Sequence, residues 1–173
     1  MTIYKGAPLD YPYIPSARRV LYIGTGTTFG SGWVRNSTNA AGDATDQVLV
    51  SIPITGNIIS PNGIILLQTF WTFTNSANTK NVKATFSTGA NLIANGFTTN
   101  TSACISRYAN LNNAMNSLKV QQINGLSGTA SSNPVVTGDN LGANFTLDLK
   151  CSWGAATLGE TITLEYVCVE IAG

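Results

Sequence analysis

The amino-acid sequence predicts an all-β protein, an antiparallel jelly-roll β-sandwich preceded by an extended N-terminal arm. Short runs of alternating apolar and polar residues are separated by turn signals about every 8 to 15 residues, which indicates about eight strands. Hydrophobic residues make up 43% of the 173 residues, enough for a substantial core. Three prolines fall within the first 19 residues and mark a segment of a different kind.

Residues 1–19 are predicted to form the arm, and residues 20–173 the jelly-roll domain. The prolines of "APLDYPYIPS" fix φ and remove amide donors, so this stretch can be neither a helix nor a central strand. It is nevertheless rich in aromatic and aliphatic side chains. Two interpretations stay open, a strap over its own domain and an arm docked on a neighbouring subunit. The predicted partner-binding residues are Tyr4, Tyr11, Tyr13 and Ile14 as anchors, with Arg18 and Arg19 as polar support.

The first strands follow the arm directly. "RVLYIG" is predicted to be the first strand, and the glycine-rich "GTGTTFGSGW" a flexible loop. "QVLVSIPI" alternates as the next strand, and "TGNIISPNG" carries two turn signals. The alternation predicts that one face of this strand carries Val48, Val50, Ile52 and Ile54.

The stretch "IILLQTFWTFT" is apolar on both sides of the predicted strand. A strand of this kind is covered on both faces, either at the centre of a sheet or in a contact between subunits. "NVKATFS" alternates instead, with Val82, Ala84 and Phe86 predicted to face the core. The polar "TNSANTKN" between them predicts a rigid turn, in which asparagines bond nearby backbone and Lys80 bonds carbonyls or an acidic partner.

Four further strands are predicted in "ACISRYAN", "NSLKVQQI", "NFTLDLKCSW" and "TITLEYVCVEI". A weak helical pattern overlaps them, because Leu111, Met115 and Leu118 recur at helical spacing. The asparagines around them oppose a stable helix. Cys151 and Cys168 alternate in phase with apolar neighbours, so both are predicted to face a core as reduced thiols, which favours synthesis in a reducing cytoplasm.

The composition argues against several functional classes. Net charge is +1, which provides no basic surface for nucleic acid, and no apolar run is long enough for a membrane helix. The first residues also lack the continuous apolar core of a signal peptide. A surface near neutrality promotes association between molecules, which suits a subunit of an assembly.

The sequence gives little support for an enzyme. There is no histidine, which removes the commonest general base and most metal and triad designs. Asp43 and Asp46 are the one close carboxylate pair, and "GDATD" has too few ligands for a calcium loop. A carboxylate pair from distant positions, including Asp148 or Glu165, stays open. "GTGTTFGSG" has no Lys-Ser/Thr pair and no helix pattern after it, so it does not fit a phosphate-binding loop.

Sugar binding stays open as well. Tryptophan, asparagine and threonine are the residue types that stack on glycans and hydrogen-bond to them, and the chain is rich in the last two. Trp71 and Trp153 lie in alternating strands and are predicted to be core residues. Trp33 stands beside the glycine-rich loop and is the candidate glycan contact.

One segment resembles a recurrent stretch of tailed-bacteriophage virion proteins. In "IPITGNIISPNGIILLQTFWTFTNSANTKNVKATFSTG", a strand ending in Ile-Pro leads through Pro-Asn-Gly to a strand with aromatics and then an Asn-x-Ala-Asn-x-Lys turn. The terminal "LGETITLEYVCVEI" is similar to the family's last strand, so the resemblance covers residues 46–171. Ser87-Thr88-Gly89 replaces a more usual Gly-Gly turn, and Glu160 stands where Asp is commoner. The matching residues are Ile52, Pro53, Pro61, Asn62, Gly63, Trp71, Asn75, Ala77, Asn78, Lys80 and Phe86.

The resemblance implies a jelly-roll domain, often trimeric, exposed on a phage particle. The expected function is a structural one, a homotrimeric capsid decoration protein that docks through its arm on the major capsid protein or another virion protein. Its expected location is the virion surface after assembly in the host cytoplasm, with no enzymatic activity, cofactor, metal, nucleic acid or membrane involved. The alternative is a receptor- or glycan-binding tip of a fibre or spike, with Trp33 or the loop "SGTASSNP" in contact with the ligand.

Overall fold

A computed structural model describes residues 18–26, 32–38, 41–87, 89, 91–120, 135–137, 140–155 and 158–173. Within this part of the chain there are eleven strands and one short 3-10 helix, Ala41–Ala44. The strands are β1 (Arg19–Thr25), β2 (Trp33–Asn36), β3 (Gln47–Ile54), β4 (Ile64–Phe73), β5 (Lys80–Phe86), β6 (Asn91–Phe97), β7 (Ser102–Leu111), β8 (Leu118–Val120), β9 (Val135–Thr137), β10 (Phe145–Trp153) and β11 (Thr161–Ala172).

The strands form two antiparallel sheets in jelly-roll order. The larger sheet runs β1-β11-β4-β7-β8-β9, and β2 also pairs with β11 beyond the end of β1. The smaller sheet runs β3-β10-β5-β6. Chain-adjacent strands therefore alternate between the two sheets in most steps, which is the winding of a double-sheet jelly roll. The predicted fold class is confirmed, whereas β2, β6 and β9 were not predicted as strands.

The core lies between the two sheets. Trp71 of β4 and Trp153 of β10 are 0% and 1% exposed, which confirms both as core residues. The three predicted inward residues of β5 are buried as well, Val82, Ala84 and Phe86. Phe86 packs edge-on against Phe145 of β10, with ring centroids 5.6 Å apart. This core fixes the inner face of each sheet and so determines which side chains point outwards.

A β-bulge corrects the prediction for β3. Lys150 of β10 pairs with Val48, and Leu149 pairs with Val50, so Leu49 is an extra residue in the ladder. The bulge breaks the simple alternation, and Val48 is 53% exposed whereas Val50, Ile52 and Ile54 are buried as predicted.

A second bulge changes the side of Cys168. Register shifts between Leu164 and Tyr166 in β11, so Ile162 and Leu164 face the core but Tyr166 and Cys168 face outwards. Cys168 is buried, as predicted, but on the outer side of the larger sheet; Cys151 does face the core. Both are free thiols in the described structure.

The weak helical pattern near residue 115 does not form a helix, as the asparagines around it indicated. Leu111 ends β7 and pairs directly with Leu118, which begins β8. The two leucines meet because they oppose each other across a β-hairpin, and Met115 lies in its turn. The spacing of seven residues between Leu111 and Leu118 therefore reflects a short β-hairpin at this position.

Lys80 organises the polar turn between β4 and β5. Its side chain is fully buried and donates to Ser76 O at 2.9 Å, Ser76 Oγ at 2.8 Å and Thr98 O at 2.6 Å. The prediction that Lys80 bonds carbonyls is confirmed. The asparagines of this turn have no positive φ, and Asn78 donates instead to Glu160 Oε1 at 3.0 Å. The buried ammonium therefore links this turn to the loop between β6 and β7.

Candidate interaction surface

The described chain begins on the outer face of the larger sheet. Arg18 Nη1 lies 3.7 Å from Glu170 Oε2, and Glu170 is on the outward side of β11. Arg19 opens β1 and donates from Nη2 to the carbonyl of Ile58 at 3.4 Å. Both arginines are exposed. The predicted anchors of the arm, Tyr4, Tyr11, Tyr13 and Ile14, lie outside the described residues.

Cross-strand pairing defines the surface beside Arg18. Residues paired across an antiparallel sheet share one face, so the register gives rows that run across β1, β11, β4 and β7. Together with Ile64, three rows form what we call the apolar face. The rows are Val20-Glu170-Leu66-Tyr108, Ile23-Cys168-Gln68-Ser106 and Thr25-Tyr166-Phe70-Cys104.

The apolar face exposes large hydrophobic side chains to solvent. Val20 is 53% exposed, Ile23 62%, Tyr108 51% and Ile64 40%. Val34 of β2, on the same side of the sheet, is 44% exposed. An exposed apolar residue alone is ordinary, but a contiguous group on one sheet face is typical of an interaction site.

The face carries little charge. Of its three rows of four residues and Ile64, only Glu170 is charged, and Arg18 already neutralises it in part. The pKa of Tyr166 is raised, first by its hydrogen bond with Cys168 and second by burial, so the phenol stays neutral at physiological pH. Neutral side chains lose less solvation than charged ones when such a face is covered.

The outer face of the smaller sheet has the opposite character. Asp148 accepts a hydrogen bond from Ser51 Oγ at 2.7 Å and lies 3.7 Å from Lys150 Nζ. Lys83 Nζ lies 2.8 Å from Asp46 Oδ2. These groups are partly exposed, as expected of a sheet face that stays in contact with water. The contrast between the two faces identifies the apolar one as the candidate site.

Trp33 lies on the inner side of β2, half-buried and packed against the core. Its ring lies over Gly24 of β1, where any side chain would collide with it. Part of the indole remains accessible to solvent. The contact between Trp33 and a glycan therefore stays a prediction.

The carboxylates weighed as catalytic or calcium-binding groups have structural contacts. Asp43 is buried, accepts from the Thr38 amide at 2.7 Å and pairs with Arg35 at 3.8 Å. Glu165 is buried in the larger sheet and accepts from Thr72 Oγ1 at 2.6 Å, whereas Asp148 lies on the smaller sheet. Within the described residues, no cluster of three metal-ligating side chains occurs.

A concave region lies between β6, the edge strand of the smaller sheet, and the part of β7 that β8 does not pair with. Its walls include Asn95, Phe97, Asn100 and Arg107. Arg107 is buried, which lowers the pKa of its guanidinium, and it donates to Asn95 Oδ1 at 3.1 Å. We call this region the β6–β7 groove. Amides, an aromatic ring and a guanidinium can together hydrogen-bond and stack on a polar ligand.

Sequence reasoning named Arg18 and Arg19 but missed the apolar face. One signal for it was present, because the stretch that forms β4 is apolar on both sides. That stretch is central in its sheet, and its outward Leu66 and Phe70 are the middle of the face. The remaining members come from β1, β7 and β11, and only the register brings them together.

Comparisons with known proteins give structural neighbours only. No family model and no curated protein matches the chain. Among solved structures, that of the infectious bursal disease virus Gx strain is 15% identical at a TM-score of 0.46, covering 91% of this chain and 34% of that one. The T=1 particles derived from infectious bursal virus are 14% identical at 0.46, covering 96% and 35%. The chain thus spans about a third of the length of these neighbours.

Among the described residues there is no helix with the length and apolarity required to span a membrane.

Proposed function

We propose that this protein is a structural component of a virion, a homotrimeric decoration protein on the capsid of a tailed phage. The observation that carries the proposal is the jelly-roll order of the two sheets, an architecture that viral capsid domains share with lectins. The resemblance of residues 52–89 to phage virion proteins favours a capsid-associated protein over a lectin. The location that follows is the virion surface, after assembly in the host cytoplasm.

The proposed mechanism is mechanical. A trimer that straddles several capsid subunits adds buried area, and a stable contact needs about 1,000 Å² in total. Three weak arms that engage together gain from their high effective concentration. β1, which follows the predicted arm, pairs with β11 from Arg19 to Thr25, and this pairing supports an arm that is attached to the sheet at its base. Its partner would be the major capsid protein or another virion protein.

Within the arm, Tyr4, Tyr11, Tyr13 and Ile14 would provide the anchoring contacts. Aromatic side chains bring large contact area with few rotatable bonds and are enriched at interface centres. Arg18 and Arg19 would support the arm at its base, where both already contact the domain.

The test is binding of the purified protein to capsids that lack it. Deletion of residues 1–17 should abolish capsid binding, because it removes the anchors but leaves Arg18 and β1 intact. The alanine double variant of Tyr11 and Tyr13 should weaken binding without any truncation. Co-sedimentation with capsids measures both effects.

Circular dichroism and size measurement of the deleted protein are the control, since every strand of the described structure begins at or after Arg19. If the deleted protein is folded and still coats capsids, the arm is not the docking element. If the intact protein binds no virion component, the decoration proposal itself is wrong.

The second candidate function is a receptor- or glycan-binding tip of a fibre or spike. The β6–β7 groove favours it, because its amides and Phe97 have the chemistry of sugar recognition. Under this alternative, Asn100→Ala or Trp33→Ala should reduce binding to host cells or glycan arrays while capsid binding is unchanged. Equal glycan binding by both variants and the parent protein would reject this candidate.

A further inference from the structure

We propose that the apolar face is the surface through which copies of this chain associate. The inference rests on the trimer of the proposed function and names the surface that forms it. The occupant is a second copy of the chain, because the face is broad and continuous across four strands. An extended peptide binds instead in a groove or along a free strand edge. The face does hold a small concavity beside Arg18, Leu66 and Tyr108, but its volume of about 40 Å³ is too small for an extended peptide.

The face has a footprint that three copies can share. Four strands at about 4.8 Å spacing give a width of about 19 Å, and the seven residues of β4 from Ile64 to Phe70, at about 3.4 Å per residue, give a length of about 24 Å. Each copy therefore offers about 450 Å². Three faces turned towards one threefold axis would bury about 1,350 Å² in the whole trimer, so its three contacts stabilise it together and no single pair does so alone.

The charge distribution also suits self-association. Identical copies bring identical charges together, and a face with several like charges would repel itself. Here the face contains Glu170 and, at its border, Arg18, a pair of opposite sign already in contact within one chain. The smaller sheet presents Asp148, Lys150 and Lys83, whose hydration would be lost in a similar contact.

The decisive experiment places one charge on each outer face. Ile23→Lys introduces an ammonium on the apolar face, where the parent residue is 62% exposed, so folding should be unaffected. Val48→Lys is the matched control, because Val48 is 53% exposed on the outer face of the smaller sheet. We expect Ile23→Lys to weaken self-association at least about 30-fold, the effect of an unpaired charge buried in an interface. We expect Val48→Lys to associate like the parent protein, in sedimentation-velocity runs over a dilution series.

A second variant and a chemical probe guard against misinterpretation. Tyr108→Lys changes the opposite border of the face and should have the same effect as Ile23→Lys. Cys104 is exposed on the face of the single chain, so its alkylation should slow as the protein associates and should stay fast in Ile23→Lys. Cys151, buried in the core, is the internal reference.

Three outcomes would overturn the inference. The first is that the Ile23→Lys and Tyr108→Lys variants both fold and both associate like the parent protein. The second is a parent protein that is monomeric at every concentration. The third is a monomeric parent that associates only after deletion of residues 1–17, which would make the arm the occupant. None of these measurements uses a virion, so the decoration proposal is tested separately by capsid binding.

Discussion

At the scale of single residues, the most informative side chain is Lys80. Its ammonium has no exposed area and is held by three oxygens from two loops. Burial lowers the pKa of Lys80, and the nearby Glu160 carboxylate opposes that shift. A polar residue in an otherwise exposed turn usually indicates contact with water, and sequence alone could not show that this lysine points inwards.

We predict that Lys80→Ala lowers the free energy of unfolding by about 2–4 kcal/mol, because it leaves buried acceptors unpaired and a cavity behind. Lys83→Ala, in the same strand, is the control. Its ammonium is partly exposed in a single ion pair with Asp46, so its loss should cost only about 0–1 kcal/mol. Urea denaturation measures both values, and equal losses would contradict the role of Lys80.

Cys151 gives the molecule a pH dependence above neutrality. Burial raises the pKa of its thiol from 9.0 to about 12, with a smaller opposing effect of Arg35. Since the folded state holds this proton more tightly than the unfolded state, the stabilisation is complete below pH 9 and is lost as the pH rises from 9 to about 12.

We therefore predict that the difference in unfolding free energy between the parent protein and Cys151→Ala is constant below pH 9 and then shrinks. The slope should reach at most about 1.4 kcal/mol per pH unit, the value for one proton. Urea denaturation across this pH range measures it. A constant difference at all pH values would show that the thiol ionises equally in both states.

At the scale of elements, the strands with regular alternation could be predicted from sequence, and the interruptions could not. β5 alternates without a break, and its inward residues were predicted correctly. β3 and β11 each contain a bulge. Beyond the bulge, each side chain lies on the sheet face opposite to the one that simple alternation predicts. A bulge is set by the register with a partner strand, which is information that one strand's sequence does not contain. The apolar face was missed for the same reason.

The turn before β4 shows an element held by a close backbone approach. Gly63 donates its amide to Ser60 O at 2.8 Å, and a β-carbon at this position would lie 2.9 Å from Ala172 O and closer still to Ile59. We predict that Gly63→Ala costs about 1–3 kcal/mol, the usual range for overpacking, because the end of β11 has to move.

Gly96→Ala is the control for this prediction. A β-carbon there would meet only the ends of the Asn81 and Thr79 side chains, both at 3.2 Å, which can shift. Thermal unfolding of the two variants should show a clearly lower midpoint for Gly63→Ala alone. A similar midpoint for both would mean that the turn adapts more freely than its contacts indicate.

At the scale of the whole molecule, the fold class was the most predictable property. Low charge, distributed apolar residues and frequent turns indicate a sandwich before any register is known, and the jelly-roll order is confirmed. The position of the arm relative to the domain was not predictable. The structure shows only that Arg18 and Arg19, which the sequence assigned to the arm, contact Glu170 and Ile58. Because every strand of the described structure begins at or after Arg19, we expect the deletion used in the capsid assay to retain the melting temperature of the parent protein.

The position of β1 also determines how the domain would bear tension. If the arm is anchored and the domain is pulled away, force enters at Arg19 and runs along β1, whose partner β11 is antiparallel to it. The hydrogen bonds between β1 and β11 would then be loaded together in shear. This geometry resists rupture far better than one in which the bonds break one after another. The register shift between Val20 and Tyr22 interrupts the pairing of β1 with β11 at the end nearest the arm. Under load, β1 would begin to slip along β11 at this position.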